Sequence, residues 1–420
     1  MLRLLERGDK GKVWFSLIDK IYAAGTLQLA WAKVQSNAGA CGVDGITVKH
    51  FAKGSQARLL AVNGHLREGT YQPKPVKRVM IPKPGSSEKR PLGIPTVRDR
   101  VVQSAVRMVV EPIFEREFAE HSYGFRPGRG CKDALRRVDT LLRSGLSHVV
   151  EVDIKGYFDS IPHERLMALV RERIADGRVL ALIESFLKQG IMEPLGWMEE
   201  QQSDEGTPQG GVISPLLANI YLNPLDHLMS QAGHEMVRYA DDMVMLCPDA
   251  STAEAVLSTL REWAAQAGLS LHPEKTRIVD MGQPGAHFDF LGYRFWRGKT
   301  SGSLRRFIRP KSLRKFKASL KPLTKRANGR SLEAIVTLLR PKLEGFFEYF
   351  QQASARAFDE LDGWMRGRLR AILRKRAGLK GRARGRDHHR WPNHYFAKIG
   401  FFSLKAARLE RLSLPHAANY

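Results

Sequence analysis

The chain has 420 residues and 47.4 kDa, with 43% hydrophobic residues, 26% charged residues and a mean hydropathy of −0.32. At roughly 150 residues per domain, this suggests about three folding units or one multi-lobed enzyme. The apolar content excludes global disorder and collagen-like repeats. Three widely spaced cysteines (Cys41, Cys131, Cys247) exclude a disulfide scaffold and a paired-cysteine metal knuckle, and they fit a reducing compartment. The opening residues lack the apolar core of a signal peptide, and no window approaches the roughly 20 apolar residues of a membrane helix. The expectation is a soluble, cytoplasmic protein with no membrane partner.

Charge is unevenly distributed. The 68 basic and 43 acidic residues give a net +25, yet residues 301–420 hold 29 basic and 8 acidic residues, a net of +21. Such asymmetry predicts a polyanion-binding lobe attached to a nearly neutral one. Aromatics interleave with that charge (Phe346, Phe347, Tyr349, Phe350, Trp364, Trp391, Tyr395, Phe396, Phe401, Phe402), and such rings can stack on bases or fill a core.

In chain order, residues 1–72 read as helical and basic-amphipathic. Residues 75–95 (PVKRVMIPKPGSSEKRPLGIP) read as a hairpin with basic edges around a Gly-Ser turn. Residues 97–118 carry a helical stripe from Val101 to Val110, with Pro112 predicted to kink or end it. A punctuated loop, SYGFRPGRG (122–130), precedes a helix over about 131–144. HVVEVDIKGYFDSIP reads as a strand running into a polar loop, and helices occupy much of 163–190. GTPQGGVISPLL (206–217) enters an apolar helix, and EMVRYADDMVMLC (235–247) reads as a hairpin with acidic residues at its tip. A helix (252–267) and strand-like segments near 277–281 and 286–296 follow. From 310 onward the pattern is helical and basic, broken at 377–387.

Three aspartates stand where chemistry would want them. Asp153 ends the apolar strand VVEVD, and Asp241 and Asp242 share the hairpin tip. An isolated Asp-Asp pair is most often a solvated turn, but adjacent carboxylates repel unless a cation neutralises them. Hard oxygen ligands of this kind suit Mg²⁺ shared with substrate phosphates. Two such ions about 3.5–4 Å apart stabilise both oxygens of an in-line phosphoryl displacement.

The motifs around these aspartates carry a family resemblance. RYADD (238–242), VDIKGYFDSIPH (152–163) and GTPQGGVISPLLANIYL (206–222) resemble the catalytic blocks of reverse transcriptases. With them stand residues 81–103, SYGFRPGRG, LHPEKTRIV (271–279) and FDFLGYRF (288–295), in the order found in bacterial group II intron reverse transcriptase/maturases. GFFEYF (345–350), LDGWMRGRLR (361–370) and HHRWPNHYFAKIGFFSL (388–404) are similar to that family's maturase region.

The resemblance implies an α+β right-hand polymerase of fingers, palm and thumb, with an antiparallel palm sheet and a helical, basic thumb/maturase domain. The implied divisions are 1–72 for the N-terminal extension and start of the fingers, 73–300 for fingers and palm, and 301–420 for the thumb/maturase. It implies an RNA-directed DNA polymerase that also assists splicing and mobility of its intron. Asp153, Asp241 and Asp242 would hold two Mg²⁺ ions, with Mn²⁺ a substitute and the Ile154 carbonyl a further ligand. Lys83 and Arg90 would hold the triphosphate of the incoming dNTP. Phe158 would gate against a ribose 2′-OH, with Tyr157 competing for that role. Gln209 would lie near the nascent pair, Gly210 and Gly211 would permit close backbone approach, and Lys275 would protonate the pyrophosphate. Arg126 and Arg129 would touch template phosphates, and Arg366, Arg390 and Trp391 would touch RNA. The implied partners are group II intron RNA, an RNA template and a DNA primer or target, in a bacterial cytoplasm and at the nucleoid when on target DNA.

Three histidines (His388, His389, His394) lack the spacing and cysteines of a zinc site, so RNA contact or packing is the expectation there. The chain also lacks the cysteine pairs of the endonuclease segment found in many family members, so a compact form is expected. A pure splicing cofactor and a relative domesticated for repair or defence remain alternatives, and a ribozyme in the flanking DNA would discriminate between them.

Overall fold

The computed structural model describes residues 10–82, 89–193, 198–199, 204–298 and 302–413. Its backbone separates into two compact units, Met1–Ile278 and Val279–Tyr420. The division falls before the 300/301 boundary suggested by charge, because a small sheet of modest charge belongs with the basic helices.

The first unit opens with helices α1 (Ile18–Tyr22), α2 (Ala24–Asn37), α3 (Val48–Ala52) and α4 (Ser55–Glu68). Strands β1 (Val76–Pro82) and β2 (Lys89–Ile94) pair antiparallel from Lys77↔Ile94 to Pro82↔Lys89. The turn between them, with Lys83, lies outside the described residues. Helix α5 (Val97–Glu115) buries Val101, Val102, Val106, Val109 and Val110 completely. It runs through Pro112 rather than stopping there, and burial of Ile113 and Phe114 beyond the proline offsets the lost backbone bond. Helix α6 (Cys131–Arg143) then leads into β3 (His148–Val152).

Helices α7 (His163–Arg171) and α8 (Gly177–Leu187) are followed by two short strands, β4 (Ile191–Met192) and β5 (Met198–Glu199), which extend the β1–β2 sheet. Helix α9 (Ser214–Gln231), hairpin strands β6 (Glu235–Tyr239) and β7 (Asp242–Cys247), helix α10 (Ala250–Gln266) and β8 (Arg277–Asp280) follow, the division falling within β8 after Ile278. The central sheet has the order β6-β7-β3-β8. Strand β3 is antiparallel to β7, from His148↔Cys247 to Val152↔Met243. Met243 to Cys247 are all buried, since helices α6 and α10 both pack on β7.

In the second unit, β9 (His287–Phe290), β10 (Tyr293–Arg297) and β11 (Leu304–Ile308) form an antiparallel meander. The 286–296 segment is therefore a hairpin, turned at Leu291 and Gly292, which both have positive φ (48° and 80°). Helices α11 (Pro310–Leu320), α12 (Leu332–Phe350), α13 (Ala355–Arg376), α14 (Gly385–Arg390), α15 (Asn393–Lys398) and α16 (Leu404–Ser413) follow. Half of the ten aromatics that could have faced bases are core instead: Phe346, Phe347, Phe350, Phe396 and Phe401 are buried, and Phe316 stacks on Phe346 at 3.7 Å. Alternating charge and rings along the chain is what amphipathic helices produce when rings point in and arginines out. Among the described residues no helix is long and apolar enough to cross a membrane.

Candidate active site

The three aspartates meet at one end of the central sheet. Val152 pairs with Met243, so Asp153 leaves β3 beside the β6–β7 turn. Tyr239 pairs with Asp242, leaving Ala240 and Asp241 as a two-residue turn. Ala240 has φ 58°, the left-handed geometry such a turn demands. Burial pushes the Asp241 carboxyl above its usual pKa, and the negative charge on Asp153 adds to that rise, while a backbone hydrogen bond and Arg238 oppose it. Asp242 is exposed at the start of β7.

Asp153 is held by its backbone. Its carbonyl accepts from the His272 N–H at 2.8 Å, and the Lys155 N–H donates to the Ser270 carbonyl at 2.8 Å. These two bonds carry the Ile154–Leu271 bridge, which therefore makes no use of the Ile154 carbonyl. The Lys275 ammonium lies 3.4 Å from both Asp153 carboxylate oxygens. Both side chains are substantially exposed, so the pair contributes little to stability.

Beneath the turn lies a buried polar network that motif reading left without a role. Arg238 is fully buried. Its Nε donates to Asp226 at 2.7 Å and its Nη2 pairs with the other Asp226 oxygen. Its Nη1 donates to the Asn219 side chain and to the Ala240 carbonyl, each at 3.0 Å. Asn219 in turn donates to the Gly124 carbonyl at 2.8 Å. A Cβ at Gly124 would collide with the Ala240 nitrogen, so glycine is required there. The signal was present: an arginine inside the apolar run MVRY needs a buried acidic partner.

A second cluster is built on the loop that follows Asp153. Phe158 sits half-buried in a 3₁₀ turn, Tyr157–Asp159. Tyr157 is 2% exposed and its hydroxyl donates to the Ala218 carbonyl at 2.6 Å, so its edge belongs to the core. The Gln209 amide donates to Asp159 at 2.9 Å, and the Gln209 carbonyl accepts from the Gly93 N–H of β2 at 2.7 Å. Burial raises the Asp159 pKa, against Gln209 and Arg78, which lower it. Gly210 has φ 116°, and a Cβ there would strike the Gly93 carbonyl. The close approach at Gly210 is thus to β2 of the protein itself. Gln103, almost fully buried, accepts from the Val212 N–H at 2.7 Å and braces the same loop. Asp159, Arg78 and Gln103 were not singled out in the sequence, since nothing local marks them.

The remaining candidates fall elsewhere. Arg90 is exposed on β2, opposite Ile81. Arg126 is 7% exposed, and its guanidinium donates to Glu115 and to the Ala119 and Ser122 carbonyls, so it braces its own loop. Arg129 is half-buried over the Tyr123 ring. In the second unit, the Arg366 side chain lies near Asp362 at 3.8 Å, while exposed Arg390 sits over the Trp391 ring at 4.7 Å. The Trp391 carbonyl accepts from Arg370, which is buried.

Among the described residues, no three carboxylate, imidazole or thiolate side chains enclose a metal site. The donors at the turn nevertheless fit a hard divalent cation: an open set of carboxylates, one of them raised in pKa by burial and by its neighbour's charge, gains from a positive ion shared with phosphate oxygens.

An acidic turn on an antiparallel sheet, with a basic hairpin joined to the Gln209 loop, is the arrangement of palm and fingers in a right-hand polymerase. Residues 81–295, about half of the chain, match the family model described as reverse transcriptase (RNA-dependent DNA polymerase), and residues 313–391 match the group II intron maturase-specific domain. The chain belongs to the group II intron-encoded reverse transcriptase/maturase family. It is 42% identical over 205 residues to the group II intron-encoded protein LtrA of Lactococcus lactis subsp. cremoris, covering 48% of this chain and 33% of that protein. It is 35% identical over 327 residues to protein YkfC of Escherichia coli K12, covering 67% of this chain and 83% of that protein. A solved partial Cas6-RT-Cas1–Cas2 complex is similar at 25% identity and a TM-score of 0.38, over 60% of this chain and 42% of that one. The chain thus spans one third of the length of the LtrA protein.

Proposed function

We propose that the protein is an RNA-directed DNA polymerase that also binds group II intron RNA and assists its splicing and mobility. The observation that carries this reading is the convergence of Asp153 with the Asp241–Asp242 turn on neighbouring strands of one sheet. Asp153, Asp241 and Asp242 would hold two Mg²⁺ ions, with the Ile154 carbonyl as a further ligand. Bound there, the ions would polarise the phosphate and offset charge on the attacking and leaving oxygens.

The chain's own residues would do the rest. Arg90, with Lys83, would neutralise the triphosphate of the dNTP. Phe158 would present a ring edge where a 2′-OH would project, a reading supported by the inward commitment of Tyr157. Asp159 would orient Gln209 toward the nascent pair. Lys275, beside Asp153, would deliver a proton to the departing pyrophosphate. Arg129 would meet template phosphate, and Arg366, Arg390 and Trp391 would meet intron RNA. The maturase-specific match and the net +21 of residues 301–420 support an RNA-binding role for that part.

The test is primer extension on an RNA template with purified protein, dNTPs and Mg²⁺, beside a splicing assay on the adjacent intron RNA. Template-dependent synthesis is the expected result; its absence while splicing is stimulated would leave only the cofactor role.

A further inference from the structure

Phe125 is held in a conformation and a place that folding alone does not explain. It has φ 60°, in the left-handed region that bulky side chains rarely adopt. It is also 41% exposed, so no core packing compensates the strain. Residues held this way persist only where their surroundings impose it, and they gather at working sites.

Both neighbours impose it. Gly124 lies flush against the catalytic turn, with no room for a Cβ beside the Ala240 nitrogen, and its carbonyl is fixed by Asn219. Arg126 is anchored by Glu115 and by two backbone carbonyls. Between these anchors the Phe125 carbonyl meets Arg107 at 3.5 Å, and the ring stands outside, 6.4 Å from the Tyr239 ring at a 46° tilt. Tyr239 is itself tied to the loop's other side by a hydrogen bond with Cys131. Tyr239 pairs directly with Asp242. An apolar ring is thus displayed to solvent beside the acidic turn, on a loop braced on both sides.

We propose that Phe125 is a packing platform for the nucleotide at the 3′ end of the primer strand. This rests on the polymerase reading above. If the carboxylates act on the primer 3′ oxygen, that nucleotide lies at the turn, and a fixed ring there would hold its base by sequence-independent stacking. Presenting the ring from a strained loop removes rotamer and backbone freedom before binding, which preserves affinity.

The experiment measures dissociation constants of full-length protein for a DNA primer annealed to an RNA template, by fluorescence anisotropy without dNTPs. Phe125→Ala should weaken binding about tenfold, on the scale of one base–aromatic contact, and Phe125→Trp should restore it. Phe125→Gly should weaken binding equally while raising the melting temperature, because glycine accepts the positive φ without strain. A primer ending in an abasic nucleotide should cost wild type a similar factor and Phe125→Ala little more. Wild-type affinity in both Phe125→Ala and Phe125→Gly would overturn the proposal, as would coupling to an abasic site in the template rather than the primer. Because binding is read without catalysis, failure of wild type to extend primers would count against the polymerase reading separately.

Discussion

Replacing Asp241 with asparagine should have opposite effects on stability and activity. Asp241 is held above its normal pKa by burial and by Asp153. A carboxyl with a higher pKa folded than unfolded binds its proton more tightly in the folded state. Its stabilising contribution is complete at low pH, below the unfolded pKa, and is lost as pH rises through the folded value. At neutral pH without metal, wild type therefore carries a repulsion that Asp241→Asn lacks. The register puts the two carboxylates on adjacent strands near one sheet end. Neighbouring positions of that kind are separated by roughly 5–8 Å. Like charges at about 6 Å repel by roughly 0.7–3 kcal/mol between bulk-water and near-surface dielectric conditions. For a unit of this size that is about 2–10 °C in melting temperature. In calorimetry with EDTA at pH 7.5, Asp241→Asn should melt higher than wild type, with the gap closing toward pH 4. In primer extension the same variant should lose at least about 10³-fold, since about 4 kcal/mol of transition-state stabilisation leaves with one ligand. A variant less stable than wild type, or a gap that does not change with pH, would refute this electrostatic account of the turn.

Other outcomes are specific. Arg238→Met strands the buried Asp226 carboxylate and should cost about 3–5 kcal/mol in denaturant unfolding. Arg238→Met combined with Asp226→Leu should regain most of that stability yet stay slow in extension, because the Ala240 carbonyl is no longer held; full activity in the double variant would contradict the positioning role. Phe158→Ala should admit ribonucleotides in single-nucleotide incorporation, and unchanged discrimination would move the gate away from Phe158. Replacing exposed Lys311, Arg314 and Lys315 of α11 with glutamine should lower the salt dependence of intron RNA binding, by up to about one phosphate contact per residue. An unchanged slope would remove that helix from the RNA surface.

Much of the active site was legible because its chemistry is local in sequence. RYADD announces an acidic turn, and VVEVD ends a strand in a carboxylate. Both hairpins, the 131–144 helix and the helix after GTPQGG follow from periodicity and turn residues. What could not be read depends on distant partners. Arg238 meets Asp226 and Asn219 through folding alone. Gln209 is held by Asp159 and Gly93, and Gln103 reaches the same loop from α5. Arg126 resembled a free loop arginine, yet its acceptors are the Glu115 carboxylate and carbonyls freed only once α5 ends. The aromatics of the basic region read equally as stacking surface or core, and only packing decides between these. Strand β11 hid within a run of arginines because edge strands tolerate charge on their outer face.

The proposed polymerase requires Asp153 and the Asp241–Asp242 turn to take divalent ions jointly. This requirement is tested most directly by counting bound Mn²⁺, by electron paramagnetic resonance, in wild type and Asp153→Asn, each with primer–template and a non-hydrolysable dNTP. Two ions are expected for wild type and the loss of at least one in the variant. Equal counts in both proteins would contradict it.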